Sequence, residues 1–85
     1  MKPVFSRHAG QDYVHWQRHD PKIARRIDAL LEEIGRTPWQ GSGKPLALKQ
    51  ALAGWGSRRI AGEHRLVYRL TEAGIEVAQC RYHHE

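Results

Sequence analysis

Five apolar side chains, Ile23, Ile27, Leu30, Leu31 and Ile34, recur at helical spacing, and that period requires an amphipathic helix in the first half of the chain. Arg25, Arg26, Asp28, Glu32 and Glu33 lie off the stripe, so the helix has one face to bury. Asp20-Pro21 reads as its N-cap and first helical position. Gly35 can close it, and Thr37-Pro38 prevents its continuing. An earlier helix is expected over 7–18, capped by Ser6, with Ala9, Tyr13 and Trp16 on its inward side. The short link between the two makes them a hairpin. Ahead of them, KPVF (2–5) reads as a short strand that Pro3 restricts to an edge or a strand start.

Beyond the Gly/Pro-rich turn region TPWQGSGKP (37–45), the pattern changes to that of strands. LALK (46–49), SRRIA (57–61), RLVYRLT (65–71) and IEVAQCRYH (75–83) are the expected strands, the last two joined by a hairpin with Gly74 in its turn. Alternation turns Leu66, Tyr68 and Leu70 to one face, and Glu63, Arg65 and Arg69 to the other. The apolar set should meet the helices; the charged set should face solvent or a ligand. The expectation is one α+β domain spanning residues 1–85: a short N-terminal strand and a helical hairpin on one face of a mainly antiparallel, four- to five-stranded sheet.

Fourteen basic against nine acidic side chains leave a net charge of +5, with six histidines besides. Such a surplus attracts polyanions, with nucleic acid the first expectation and an acidic partner protein the second. An 85-residue domain buries a modest core, so a partner or a second copy could add to its stability. The single cysteine, Cys80, excludes an internal disulfide. The opening MKPVFSRHAGQ lacks the apolar run of a signal peptide, and no stretch approaches the ~20 apolar residues of a membrane span. A cytoplasmic protein with no membrane association is expected.

The second half concentrates residues suited to proton transfer and phosphate binding: Arg58, Arg59, Glu63, His64, Arg65, Arg69, Arg81, His83 and His84, with Lys44 and Lys49 flanking the first of its strands. There is no Walker loop, no zinc spacing and no nucleophile elbow. His15 and His19 sit four apart on a helix, but no third metal ligand is evident, and no cofactor is implied. RNA cleavage suits such a set, because RNA carries its own nucleophile. A base takes the 2′-hydroxyl proton, the oxygen attacks phosphorus, an acid protonates the departing 5′-oxygen, and cations stabilise the transition state. Imidazole suits the proton transfers, and the arginine fork suits the phosphate.

Three strings go further: GSGKPLALK (41–49), GWGSRRIAGEHRLVYRL (54–70) and CRYHHE (80–85) resemble the YoeB/Txe toxins of the RelE superfamily, as do DYVHWQRHD (12–20) and the R-T-P of 36–38. The resemblance covers nearly the whole chain at similar spacing. It implies a compact RNase-like fold and a ribosome-dependent mRNA endonuclease that works without metal. It also implies an antitoxin of the YefM/Phd type, with the ribosome and mRNA as further partners, and a capacity to form homodimers. Carried over by motif, the arginine of E-H-R is Arg65 and the general acid of R-Y-H is His83. Lys44, Lys49, Arg59 and Arg81 are the candidate RNA contacts.

Two departures from the family pattern stand out. Leu46 follows Gly-Lys-Pro where the family usually carries a glutamate acting as general base, and His84 stands where a tyrosine usually helps position the RNA. Glu63 or His84 is therefore expected to replace the base in part. Two other functions remain open: a degenerate toxin that binds antitoxin or ribosome and hardly cuts, for which Leu46 is the best argument, and a gyrase-inhibiting toxin of the same superfamily, against which the terminal R-Y-H argues.

Overall fold

The computed structural model describes residues 2–82. The chain runs through β1 (Pro3–Phe5), α1 (Arg7–His19), α2 (Pro21–Arg36), β2 (Leu46–Ala47), a 3₁₀ turn (Gln50–Leu52), β3 (Gly56–Ala61), β4 (His64–Thr71) and β5 (Gly74–Gln79). Five strands form one sheet in the order β1-β5-β4-β3-β2. β1 pairs with β5 in parallel, and every other pairing is antiparallel. This is the α+β architecture expected from the sequence, with both helices on one face.

The helix signals act as expected, with two local exceptions. Ser6 Oγ accepts from the Ala9 amide at 3.0 Å and starts α1. Asp20 is the one residue between the helices, but its side chain makes no capping bond. Its backbone serves instead: the N–H donates to Trp16 O and closes α1, while the carbonyl accepts from Ile23 and Ala24 and opens α2. α2 also runs through Gly35 to Arg36, and Thr37 closes it by donating its N–H to Glu33 O. Glu33 O accepts from both the amide and the hydroxyl of Thr37, so the helix ends one residue beyond the glycine.

The core is the seam between helices and sheet. Ala9, Trp16, Ala24, Ile27, Leu30 and Ile34 meet Ile60, Leu66, Tyr68, Ile75, Val77 and Cys80, with Tyr13 packed at the margin. Leu66 and Tyr68 thus point to the helices as their alternation requires. At the β4–β5 hairpin, Gly74 begins β5 at φ 141°, and a Cβ there would collide with the Lys2 carbonyl oxygen. That carbonyl accepts from Ile75 N at 3.1 Å, so glycine is what lets β1 approach β5.

The expected 75–83 strand is shorter than its pattern. β5 ends at Gln79. The chain then leaves the ladder because α1 takes hold of Cys80, as described below. β2 is likewise two residues rather than four, since Lys49 already leads into the 3₁₀ turn.

Candidate functional site

The sheet face turned away from the helices carries the candidate site. Across it, Leu46 pairs with Ser57, Ser57 with Val67, and Val67 with Gln79, so these four side chains form one row. Val67 is only 2% exposed and makes an apolar floor. One step along, Arg59 pairs directly with Arg65. Two guanidinium groups thus share a face at neighbouring positions, and neither forms an ion pair among the described residues.

Arg65 is the most constrained of these groups. Its Nε donates to Ser57 Oγ at 3.1 Å. Its Nη2 is buried and has no acceptor among the described residues. Burial, reinforced by the Arg59 charge, pulls its pKa below the ordinary guanidinium value. Arginine stays charged over the working pH range, so the result is a half-desolvated cation with an unused donor, a demand that an anion would meet.

The other basic residues divide sharply. Arg69 is already engaged: Nη2 donates to Glu76 Oε1 at 2.9 Å and Oε2 at 2.8 Å, and its guanidinium lies 4.5 Å from the Trp55 ring. Arg58, expected among the phosphate-binding types, is no ligand group. It is fully buried toward the helices. Its Nη1 donates to Glu33 Oε1 at 3.1 Å and Ser42 O at 3.3 Å. Its Nη2 donates to the carbonyls of Thr37, Pro38 and Gln40 at 2.8, 3.2 and 2.7 Å. The reason is strand parity: Arg58 pairs with Leu66 and shares the core-facing side, whereas Arg59 turns outward. Glu33 also accepts from Ser42 N, and that backbone bond, with the Arg58 partner, holds its carboxyl below the usual range.

Arg58 therefore braces the loop that delivers Lys44 and Leu46. Gly43, at φ 82°, presents its carbonyl to Arg59 N at 2.7 Å, and Lys44 follows at φ 50°, exposed. Leu46 is 53% exposed on the site face, where the family resemblance expects a base. Lys49 is exposed at the other end of this edge, ahead of the 3₁₀ turn. Trp39 stands half-exposed over Gly56, against whose absent Cβ it packs.

Glu63 does not share a strand face with Arg65. It is an exposed residue of the two-residue turn between β3 and β4, because the strand begins only at His64. No ion pair joins it to Arg65 among the described residues.

The C-terminal segment is held beside this face. Cys80 N–H donates to Asp12 Oδ2 at 3.1 Å, and Cys80 O accepts from Trp16 Nε1 at 2.8 Å. Two residues on, Tyr82 O accepts from Arg65 N at 2.8 Å. Arg81 lies 4.9 Å over the Tyr82 ring and donates to its hydroxyl at 3.2 Å, on the side of Trp16 rather than among the outward arginines. His83 and His84 lie outside the described residues. Ser57, Asp12 and Trp16 were not singled out as site residues by sequence reasoning; the only available signal was strand parity for Ser57, and the two α1 residues read simply as helix.

Comparison with known proteins agrees with this geometry. The family described as YoeB-like toxin of bacterial type II toxin-antitoxin system matches residues 5–84. The chain belongs to that family. Toxin YoeB of Escherichia coli K12 is 45% identical over 84 residues, covering 99% of this chain and all of that one. The YoeB/ParE toxin from Agrobacterium tumefaciens superposes with a TM-score of 0.93 at 45% identity, over 99% of this chain and 100% of that one. Staphylococcus aureus YoeB has been solved as a dimer, with a TM-score of 0.92 at 42% identity. It has also been solved in a heterotetrameric complex with YefM, with a TM-score of 0.91 at 42% identity. Each covers 99% of this chain and 98% of the other. Within this YoeB-like fold, the described part of the site is cationic, with an apolar side chain at position 46.

Proposed function

We propose that this YoeB-like toxin cleaves mRNA at the ribosome and is restrained by an antitoxin of the YefM type. The observation that carries the reading is Arg65: a half-buried guanidinium, oriented by Ser57, with a buried Nη2 that lacks an acceptor among the described residues and a second guanidinium beside it. A phosphodiester supplies acceptors and negative charge together, and its charge grows in the transition state. Exposed Lys44, Lys49 and Arg59 extend the positive surface along a threaded strand, and Arg81 adds charge beside Tyr82. In this mechanism His83 protonates the departing 5′-oxygen. In sequence it follows Tyr82, whose carbonyl accepts from the Arg65 amide. The antitoxin reading rests on the YoeB–YefM complex of S. aureus, and pairing of two copies on the YoeB dimer of the same organism.

The general base is the weak element of the site. Leu46 cannot take a proton, and Glu63 lies in a turn off the strand face. His84 is the remaining candidate for a substitute, with Glu63 reaching the substrate only from the turn. The second reading, a toxin that binds ribosome or antitoxin and hardly cuts, rests on the exposed leucine at this position. One experiment separates the two. Purified protein is added to a translating extract, and mRNA 5′ ends are mapped at stalled ribosomes beside a His83→Ala control. Cuts that vanish in the control support the nuclease. Ribosome binding without cuts supports the degenerate module. Unaffected translation with blocked DNA supercoiling would transfer the reading to a gyrase inhibitor.

A further inference from the structure

Two residues of the C-terminal segment are each held by both backbone groups. Cys80 is clamped by Asp12 and Trp16 of α1. Tyr82 is clamped by adjacent residues of β4: its carbonyl accepts from Arg65 N at 2.8 Å, and its N–H donates to His64 Nδ1 at 2.7 Å. Tyr82 has φ 60°, a left-handed conformation that a residue with a bulky side chain adopts only when its surroundings impose it. The imidazole of His64 is itself fixed, edge-on to the Trp16 ring at 4.7 Å and tilted against the Tyr82 ring at 5.2 Å.

The 2.7 Å bond calls for an acceptor at Nδ1 of the ring. A backbone N–H can only donate, so Nδ1 must offer a lone pair and the ring must be neutral, with its proton on Nε2. An imidazolium carries hydrogens on both nitrogens and would set donor against donor. We propose that neutral His64 is a positioning residue, which holds Tyr82 in its left-handed bend with its carbonyl on the Arg65 amide, and that protonation of His64 releases this hold on Tyr82. This rests on the nuclease reading above for its catalytic consequence, but not for its structural one. Among the described residues, the titratable and charged groups nearby are Arg65 on its own strand, Arg81 and Tyr82 on the segment, and His15 on α1, itself neighboured by His19 and Asp12.

The anchor and the general acid act on opposite limbs of a pH profile. An acid at position 83 loses rate as pH rises and its proton is lost. An anchor at His64 loses rate as pH falls and its lone pair is taken. The test compares wild type, His64→Ala and His64→Asn for ribosome-dependent cleavage from about pH 8 to about pH 5. The asparagine Oδ1 can occupy the acceptor position of Nδ1 and does not titrate. The expected result is a cleavage rate lowered about 10- to 100-fold in the alanine variant with ribosome affinity retained, as befits a misplaced catalytic group. The asparagine variant recovers most of that loss, and its rate no longer falls on the acid side. An acid limb unchanged in His64→Asn, or no recovery over His64→Ala, overturns the proposal.

A measurement without substrate keeps it separable from the nuclease reading. Nitrogen-15 spectra of the wild-type imidazoles and amides should show His64 protonated at Nε2. The Tyr82 amide should shift with the titration of that ring, and its signal should move in His64→Ala. An Nδ1-protonated His64, or a Tyr82 amide indifferent to its titration, sinks the anchor even if the protein cuts RNA. A wild-type protein that never cuts, but passes this measurement, sinks the nuclease reading alone.

Discussion

Arg65 Nε donates to Ser57 Oγ at 3.1 Å, from β4 to β3, and this bond aims the guanidinium along the outward face of the sheet. Ser57 is fully buried, so its hydroxyl is not rotating in water but is committed to that neighbourhood. Ser57→Ala removes the aim without removing the charge. Loss of one hydrogen bond to a charged group amounts to about 1.5–3 kcal/mol, or roughly 10- to 100-fold in rate if the orientation matters only in the transition state. Single-turnover cleavage on programmed ribosomes reads this directly, with toxin–ribosome affinity unchanged. Arg65→Lys should lose more than Ser57→Ala, because an ammonium replaces a planar fork by a point charge. Equal rates for Ser57→Ala and wild type would show that Arg65 is oriented by the substrate instead.

Arg58 is expected to matter for stability and not for RNA. Five bonds from one buried guanidinium reach Glu33 and the carbonyls of residues 37, 38, 40 and 42. Arg58→Met removes all of these bonds at once, although Glu33 keeps its bond from the Ser42 amide and the carbonyls of Thr37, Pro38 and Gln40 keep donors in Gln40 N, the Tyr68 hydroxyl and the Thr37 hydroxyl. Stability is expected to fall, by less than a fully buried pair would lose, because Glu33 retains solvent contact and its Ser42 bond. The denaturant midpoint should fall with an unchanged slope. The same site predicts an acid limb of stability. The Glu33 carboxyl is depressed in the folded state, so its contribution is complete above its ordinary value of 4.5 and is lost as pH falls below it. Glu33→Gln should flatten that limb in urea titrations below about pH 4.5.

Much of this architecture was legible in the residues, and the exceptions have physical causes. The α2 stripe, the Ser6 cap and the alternation of Leu66 and Tyr68 follow from period and side-chain direction, which depend on near neighbours alone. Arg58 was misread because composition shows charge and not parity. Its place follows only once the pairing of Arg58 with Leu66 is known. Glu63 was set on a strand because alternation was extended past His64 into a turn that the Gly62-Glu63 pair makes. The end of β5 could not be read locally, since bonds from Asp12 and Trp16, more than sixty residues away in sequence, draw Cys80 off the ladder. His64 stood in the E-H-R motif, but its bond to Tyr82 spans eighteen residues and depends on the bend.

Cys80 supplies an alkaline counterpart to the Glu33 prediction. Burial, with the Asp12 charge nearby, pushes its thiol up to about 12 from an ordinary 9.0. Tyr13 moves the same way, to about 12 from 10.0, through burial and its bond to Asp28. Both groups hold their protons more tightly folded than unfolded. Ionisation therefore favours the unfolded chain, and stability should fall as pH rises from about 9 toward about 12. Urea midpoints across that range test the sign, and Cys80→Ala should make the fall shallower. At about pH 8 the folded thiol should resist alkylation that the urea-unfolded chain undergoes readily.

Leu46 offers the most direct test of what limits this toxin. Its side chain shares a row with Ser57 and Val67, faces outward, and is 53% exposed. A glutamate there would meet water at no burial penalty, and would stand one strand away from the serine that orients Arg65. Leu46→Glu should therefore leave stability within about 0.5 kcal/mol of wild type, as befits an exposed position. If proton removal from the 2′-hydroxyl limits the rate, supplying a base should raise cleavage about 10²-fold or more. The gain should appear in the single-turnover rate and not in ribosome affinity, and it should acquire an acid limb from the new carboxylate. Leu46→Gln, which matches the shape without the basicity, should show none of it. An equal gain in Leu46→Gln would mean that the leucine obstructs RNA rather than lacks a base, and no gain in either would separate position 46 from the chemistry.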